Sequence, residues 1–173
     1  FAASGELERA REAFAAAGAR SLHVVDLDGA RDGVPTNVDV IERIVTRVAM
    51  RVQVGGGIRT ADIAERWYDA GVARVVLGTV AVEDPAMVRD LAAKRPDGVV
   101  VALDARNGEV AVRGWLEGGG RQVSELAQEM DAAGVAAVLY TNILRDGTSG
   151  GPDVEGTASL QADIRATVIA SGG

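Results

Sequence analysis

The sequence predicts an α/β fold built around a mainly parallel sheet, and two observations support this prediction. Short runs rich in Val, Ile and Leu alternate along the chain with longer segments whose apolar residues recur at helical spacing. The apolar runs lack polar alternation, which is typical of strands buried on both faces of a parallel sheet. Strands separated by helices and short turns favour right-handed βαβ units, in which neighbouring strands run parallel.

The predicted strands and helices alternate along the whole chain. Strands are predicted at residues 21–26, 51–54, 74–77, 98–103, 136–140 and 166–170. Helices are predicted at residues 6–17, 38–48, 61–70, 85–93 and 123–133, with a weaker helical pattern at 155–163. Thr60 and Asp84 suit the N-cap positions of the third and fourth helices, and Pro85 suits the first helical position. Glycines stand where left-handed C-caps are expected, at Gly18, Gly71 and Gly134.

One pattern of apolar runs occurs twice in the chain. In each copy an apolar run leads into a turn with Asp-Gly, then an amphipathic stretch, then a second apolar run that ends in Gly-Gly. The first copy runs from Leu22–Ala30 to Val52–Arg59, and the second from Val138–Thr148 to Val168–Gly173. Two matching half-units predict a fold with pseudo-two-fold symmetry. Paired glycines in both copies also favour a ligand that carries a phosphate at each end.

Two α/β architectures fit this alternation, an open doubly wound sheet and a closed (β/α)8 barrel. The segment Gly55–Thr60 argues against the open sheet, because Thr60 stands where a dinucleotide-binding loop needs its third glycine. Polar residues and glycines gather at the carboxyl ends of the predicted strands, which form the catalytic face of a barrel. A complete barrel has eight strands and about 250 residues. Residues 1–173 are therefore predicted to form a single, partial TIM-type barrel of about six parallel strands.

The composition limits the class of protein. With 47% hydrophobic residues, the chain has enough apolar side chains for one sizeable core. The formal net charge of −7 and the lack of a long Lys/Arg cluster argue against a nucleic-acid partner. Cysteine is absent, which excludes disulfides and thiolate metal sites, and no apolar run approaches the roughly 20 residues that cross a bilayer. Because no pattern typical of a secretion signal follows Phe1, we expect a cytoplasmic protein.

Six motifs occur in order along the chain: LHVVDLDGA, VQVGGGIR, VVLGTVAV, VALDAR followed by VRGW, YTNILRDGTSGGP and VIASGG. Together they resemble strands two to seven of the phosphoribosyl isomerases of histidine biosynthesis, including actinobacterial dual-substrate relatives that also serve tryptophan biosynthesis. The resemblance implies that the family's first strand, with its catalytic aspartate, and its eighth strand have no counterpart in residues 1–173.

The family reaction implied by this resemblance is an Amadori-type rearrangement of a ribosyl aminoaldose to an aminoketose, on a substrate with two phosphates. Two carboxyl groups suffice for the two proton transfers, so neither a metal nor a cofactor is expected. Asp104 corresponds to the family's general acid, and Thr141 to a hydrogen-bond partner beside the reacting sugar. Asp26 corresponds to a residue that orients ligand or makes a structural hydrogen bond, with a second acid as the alternative. Asp146 is expected to hold its loop in shape.

The resemblance also implies a set of substrate and phosphate contacts. They are Gly55, Gly56, Gly57, Arg59, Gly78, Thr79, Arg113, Trp115, Arg145, Gly172 and Gly173. Three successive glycines let backbone N–H groups approach a phosphate, whereas a tight turn alone needs only one. Arg59 either supplies charge to that phosphate or faces solvent. Arg113 and Trp115 match residues with which dual-substrate relatives clamp and stack on the substrate; alternatively, Trp115 packs against its own loop. Gly172 and Gly173 match the opposite phosphate site, to which the family's eighth strand also contributes.

Two functions of different class follow from the sequence. One is an isomerase that acts when further strands complete the barrel. The other is a catalytically inactive partial barrel that binds at most phosphate or sugar phosphates, through Gly55–Gly57. An arc of six strands leaves two unpaired edges, and we expect two copies to pair through these edges as a homodimer. Without the first-strand carboxylate, we expect isomerase turnover to be strongly reduced.

Overall fold

The computed structural model describes residue 9 and residues 12–112, 114–115 and 117–173. Residues 12–16 are helical, so the part of the first predicted helix that is described has the expected conformation. The rest of that prediction, within residues 6–11, lies outside the described residues apart from the helical residue 9.

Six parallel strands form the body of the sheet. The described strands are β1 (Ser21–Val25), β2 (Arg51–Gly55), β3 (Arg74–Leu77), β4 (Val99–Arg106), β5 (Glu109–Val112), β6 (Glu117–Gln122), β7 (Ala137–Asn142) and β8 (Thr167–Ser171). The parallel neighbours run in the order β1, β2, β3, β4, β7, β8. All six predicted strands are thereby confirmed. Each half of the internal repeat supplies one pair of adjacent parallel strands, β1 with β2 and β7 with β8.

An antiparallel hairpin, which the sequence reasoning missed, extends the carboxyl end of β4. Residues Asp104–Arg106 of β4 pair with β5, and β5 pairs in turn with β6. The turn between β4 and β5 is Asn107-Gly108, and both residues have positive φ, 54° and 84°. Asn-Gly between alternating residues is a strong hairpin signal, because a type I′ turn needs positive φ at both central positions. Residues 104–106, 109–112 and 117–122 therefore belong to the sheet, although no strand was predicted for them.

In the part of the chain that is described, seven helices lie after β1. They are α1 (Leu27–Asp32), α2 (Val38–Arg47), α3 (Ala61–Asp69), α4 (Thr79–Glu83), α5 (Pro85–Lys94), α6 (Val123–Ala132) and α7 (Val154–Asp163). The predicted caps are confirmed, since Thr60 accepts a hydrogen bond from the N–H of Ile63 at 3.3 Å and Asp84 from that of Met87 at 3.0 Å. The short helices α1 and α4 were not predicted.

The two faces of the sheet carry different cores. The larger cluster lies between the sheet and the helices and includes Val75, Leu77, Val99, Val101 and Val138 with Leu91 and Leu126 from helices α5 and α6. The opposite face carries a smaller cluster of Val76, Val100, Ala137 and Leu139, against which Ala102 and Ile169 pack. Because side chains alternate along a strand, Asp104 and Thr141 belong to the second face. This alternation separates the candidate chemistry from the helix-covered core.

The sheet path does not close among the described strands. At its two ends, β1 pairs with β2 and β8 pairs with β7. Side chains of both end strands are exposed or half-buried, in contrast to the buried central strands β3, β4 and β7. Among the described residues, no helix has the length and apolar character that a membrane span requires.

Charged side chains tie the amino ends of β2 and β3 together. Asp97, which has a left-handed φ of 63°, accepts a hydrogen bond from Arg51 at 2.7 Å and pairs with Arg74. These hydrogen bonds from Arg51 and Arg74 lower the pKa of Asp97. The cluster of Arg51, Arg74 and Asp97 lies at the end of the sheet opposite to the candidate site, where it stabilises the fold.

Candidate functional site

The residues predicted for chemistry lie at the carboxyl ends of adjacent strands. Read across the sheet, β2 ends in the glycine turn 55–57, β3 is followed by Gly78, and β4 carries Asp104. Next to β4, strand β7 carries Thr141, which is in register with Asp104 on one side and Ser171 of β8 on the other. The acid and the hydroxyl are therefore central, and glycine turns flank them on both sides.

Asp104 sits in a partly buried position with specific partners. The indole N–H of Trp115 donates a hydrogen bond to Oδ2 of Asp104 at 2.8 Å. Burial raises the pKa of Asp104, and the hydrogen bonds with Trp115 and Thr141 partly offset this effect. The nearby Asp146 carboxylate adds to the rise in pKa through like-charge repulsion. A carboxyl that holds its proton more strongly than usual suits a general acid.

Thr141 and Asp146 both lie beside Gly172, at the carboxyl ends of β7 and β8. Thr141 is one of two buried polar residues among those described, with 6% of its surface exposed. A β-carbon built on Gly172 would lie 3.0 Å from Cγ2 of Thr141 and 3.2 Å from Oδ1 of Asp146. Asp146 thus lies over the end of β8 and beside Asp104, which the sequence reasoning did not foresee when it gave this residue only a loop-shaping role.

Asp26 is the other buried polar residue, and its surroundings are structural. Its side chain caps α1 by accepting the Gly29 N–H at 2.9 Å. It also accepts the N–H groups of Thr36 at 2.7 Å and Asn37 at 3.0 Å, and the Asn37 amide at 2.7 Å. Burial by itself would raise the pKa of Asp26, but the bonds from Asn37, Gly29 and Thr36 outweigh it and lower the pKa. These contacts favour the structural alternative for Asp26 over a second acid.

Close backbone packing explains two of the three glycines after β2. Gly56 has φ of 104°, and a β-carbon there would overlap the backbone of Asp26. Gly57 has φ of 72°, and a β-carbon there would lie 2.6 Å from the carbonyl carbon of Val34. Both positions need glycine because the loop after β1 packs onto this turn. The glycine run therefore has a structural cause that does not depend on a phosphate.

Gly78 differs from the preceding glycines, because nothing crowds it. A β-carbon built there meets no atom within 4 Å. Gly78 precedes α4, whose first residue is Thr79, and its carbonyl accepts the N–H of Ala81 at 2.9 Å. Since β2 and β3 are neighbours, Gly78 and Thr79 lie on the loop adjacent to the Gly55–Gly57 turn. Exposed Arg59 lies with its guanidinium over Gly33, at the end of α1.

The glycines after β8 pack against the loop that follows β7. A β-carbon on Gly173 would overlap the backbone of Gly151, so the two segments touch. Arg145 in the same loop is exposed and donates to the carbonyl of Pro152 at 3.2 Å. Asp153 closes the loop by accepting the Asn142 amide at 2.9 Å and capping α7. This arrangement brings Arg145 and the two terminal glycines to one end of the row of site residues.

Trp115 lies in the connection between β5 and β6 and reaches back to the end of β4. Its φ is 72°, and its carbonyl accepts a hydrogen bond from Arg106 at 3.3 Å. Its contact with Asp104 means that it packs on the candidate site and not only on its own loop. Arg113, predicted to act with Trp115, lies outside the described residues.

No group of three or more His, Cys, Asp or Glu side chains is placed to hold a metal ion within the described part of the chain.

The fold and this row of residues define a class, α/β proteins whose candidate site lies at the carboxyl ends of parallel strands. Within that class, the chain belongs to the family described as histidine biosynthesis protein, which matches residues 3–173. The family resemblance seen in the six sequence motifs is thereby confirmed.

Several relatives are isomerases of an imidazole-4-carboxamide whose name carries two phosphoribosyl groups. The relative from Roseobacter denitrificans is 51% identical over 160 residues, which cover 92% of this chain and 67% of the relative. That from Synechocystis is 49% identical over 91% of this chain and 62% of its own length. That from Nitrobacter winogradskyi is 48% identical over 96% of this chain and 67% of its own length. The chain thus spans about two thirds of the length of these relatives.

Proposed function

We propose that this chain carries the acid half of an aldose–ketose isomerase that acts on a substrate with two phosphoribosyl groups. The observation that carries the proposal is the central position of Asp104 and Thr141. The glycine turns after β2 and β3 lie on one side of them, and the glycines after β8 lie on the other. An elongated substrate with a phosphate at each end would place its reacting sugar over the two central strands. The relatives are named after a compound with two phosphoribosyl groups, and these names support this class of substrate.

In the proposed reaction, Asp104 donates a proton as the sugar ring opens. The raised pKa of Asp104 keeps more of this group protonated near neutral pH than an ordinary aspartate. Thr141, which is hydrogen-bonded to Asp104, would orient the donated proton and the sugar hydroxyl. The matching removal of a proton from carbon two needs a second carboxylate, which the family resemblance assigns to a strand before β1. The proposal includes a TIM-type barrel as the complete fold, with which the six parallel strands are consistent.

The proposed phosphate site beside β3 offers a clean test. We expect Gly78→Ala to weaken binding of the bis-phosphorylated substrate by roughly tenfold, because the new methyl group covers the backbone N–H groups of the loop. The fold should tolerate the methyl group, since a β-carbon at Gly78 meets no atom within 4 Å. Isothermal titration with the substrate, and with inorganic phosphate as the smaller probe, measures the change.

The matched control for this test is Ala61→Gly, at the first position of α3, which alters a neighbouring loop-to-helix junction without adding a methyl group. Equal affinity of the unaltered protein and Gly78→Ala for the substrate would place the phosphate elsewhere. Turnover measured on the same samples separates binding from isomerisation.

A second candidate function, a self-associating partial barrel, is favoured by the end strands of the sheet. Strands β1 (SLHVV) and β8 (TVIAS) are both five residues long. Neither strand contains a proline, a lysine or another of the charged residues that protect sheet edges from association. We propose that β1 of one copy pairs with β8 of a second copy, and that two-fold symmetry repeats this pairing at the other edge.

The edge pairing predicts a dimer that a single charge disrupts. Light scattering should give twice the chain mass of 17.8 kDa. Val25→Lys, at an edge-strand residue that is 45% exposed, should give the single mass, because it brings a charge to the pairing edge. Val40→Lys, at an α2 residue that is 40% exposed, is the control and should remain dimeric. A monomer before any substitution would exclude this candidate.

A further inference from the structure

A cavity of about 490 Å³ lies between helices α2 and α3, beside the loop that precedes α2. Trp67, which lines it, belongs to the core between the sheet and the helices. Asp104 and Thr141 belong to the opposite face of the sheet, so the cavity is separate from the candidate acid site. Its volume falls within the range of sites that bind small molecules.

The indole of Trp67 gives this cavity an unused hydrogen-bond donor. Trp67 is 3% exposed, and its N–H is the only buried side-chain polar group without a hydrogen-bond partner in the part of the chain that is described. A buried tryptophan N–H usually has a partner, because a donor without one loses the hydrogen bond that water would provide. An indole N–H can only donate, so the missing partner is an acceptor. A molecule in the cavity is placed to supply it.

The walls of the cavity favour a ligand with an apolar body. Pro35, Val38 and Ile63 line the cavity and are half-buried, so each still presents apolar surface that a ligand can cover. Val34, which is 56% exposed, also lines it. The site therefore combines apolar walls with one specific donor, the arrangement typical of small-molecule sites.

The charged residues of the cavity disfavour an anionic ligand. Glu42 of α2 and Arg66 and Asp69 of α3 line it, and all three are exposed. Two carboxylates and one guanidinium leave an excess of negative charge, which opposes a carboxylate or phosphate ligand. A neutral carbonyl oxygen accepts the indole N–H without this repulsion.

We propose that the cavity between α2 and α3 binds a small, mainly apolar molecule through a neutral carbonyl group, which accepts the indole N–H of Trp67. The ligand class is an uncharged amide or ketone with a planar or compact apolar body. This site is additional to the proposed isomerase site, and its test requires neither the bis-phosphorylated substrate nor turnover.

The test is a ¹H–¹⁵N NMR titration of the whole chain with benzamide, which combines an apolar ring with a neutral carbonyl. The chain has two tryptophans and hence two indole N–H signals. The signal that remains in Trp115→Phe is that of Trp67. We expect benzamide to move the Trp67 proton downfield and to saturate with a Kd of roughly 1 mM, as suits a fragment of this size. Benzene has the ring without the acceptor and should not cause the downfield shift.

Two valines offer a matched pair of variants. Val34→Phe places a larger side chain at a residue that lines the cavity, and we expect it to weaken benzamide binding by about tenfold. Val40→Phe is the control, because Val40 is a 40% exposed residue of α2 that does not line the cavity. It should leave the affinity for benzamide unchanged. If Val34→Phe does not fold, the comparison of benzamide with benzene on the unaltered chain decides.

An unmoved Trp67 signal in benzamide would overturn the proposal, and so would equal shifts with benzamide and benzene. A shift confined to the Trp115 signal would place the probe beside Asp104 and would equally overturn it. Tighter binding of benzoate than of benzamide would contradict the neutral ligand class. Failure to bind the bis-phosphorylated substrate would contradict the proposed function and leave the benzamide result unaffected.

Discussion

Replacing Asp104 by Asn is expected to lower isomerase turnover by about 10² to 10⁴-fold, the usual contribution of a positioned proton donor. The amide keeps the shape of the carboxyl group and its contact with Thr141, but it has no acidic proton to give. Turnover is measured with the bis-phosphorylated substrate, under conditions in which the unaltered chain shows activity. The loss should appear in kcat with little change in KM, because Asp104 is proposed to act on the reacting sugar and not on the phosphates.

The same substitution is expected to stabilise the fold at neutral pH. Burial raises the pKa of Asp104, so the folded state binds this proton more tightly than the unfolded state. The stability that comes from the protonated carboxyl is complete below the ordinary pKa of about 4 and is lost as the pH rises through the folded pKa. Asn does not ionise, so the difference in the free energy of unfolding should be small at pH 3 and grow toward pH 8. Urea unfolding at both pH values measures it.

Asp90→Asn is the control for both effects, because Asp90 is exposed on α5, away from the row of site residues. It should change neither turnover nor the pH dependence of stability. Full turnover in Asp104→Asn would show that Asp104 is not the general acid. A lower free energy of unfolding for Asp104→Asn at pH 8 would contradict the proposed cost of burying the Asp104 charge. An activity loss combined with a stability gain is typical of a functional residue that the fold tolerates at a cost.

The strands were predictable because they are continuous apolar runs, a pattern that does not depend on their neighbours. Helices α1 and α4 were not predictable in the same way, since they have six and five residues and show no amphipathic period. Tertiary contacts define α1, with Asp26 as its N-cap and Gly33 in a left-handed conformation at its end. The hairpin turn between β4 and β5 was predictable in principle, from Asn107-Gly108 alone.

The positions of the site residues followed from the sequence, but their relations to one another did not. Asp104 and Thr141 end apolar runs, so each was expected at the carboxyl end of a strand. Their adjacency depends on the pairing of β4 with β7, which skips the intervening hairpin. The need for glycine at Gly56 and Gly57 comes from the loop after β1, far away in sequence. No local pattern reports such contacts.

Replacing Asp26 by Ala is expected to destabilise the fold by about 3 to 5 kcal/mol, from the loss of a helix cap and of the acceptor for further buried donors. The Asp26 side chain is 1% exposed and satisfies Gly29, Thr36 and Asn37 together, so its removal leaves several N–H groups without an acceptor. This loss is a large part of the roughly 5 to 15 kcal/mol by which a domain is stable. Urea unfolding followed by circular dichroism measures it.

The pH dependence of this effect should be opposite to that of Asp104. Hydrogen bonds lower the pKa of Asp26 despite its burial, so its contribution is complete above the ordinary pKa of about 4 and is lost as the pH falls through the lower folded pKa. The difference between the unaltered chain and Asp26→Ala should therefore shrink on acidification. Asp32→Ala, which removes an exposed partner of Arg31, should change stability little at any pH. If Asp26→Ala were as stable as Asp32→Ala while turnover disappeared, Asp26 would act on the ligand or as the second acid, and not as the structural acceptor that caps α1.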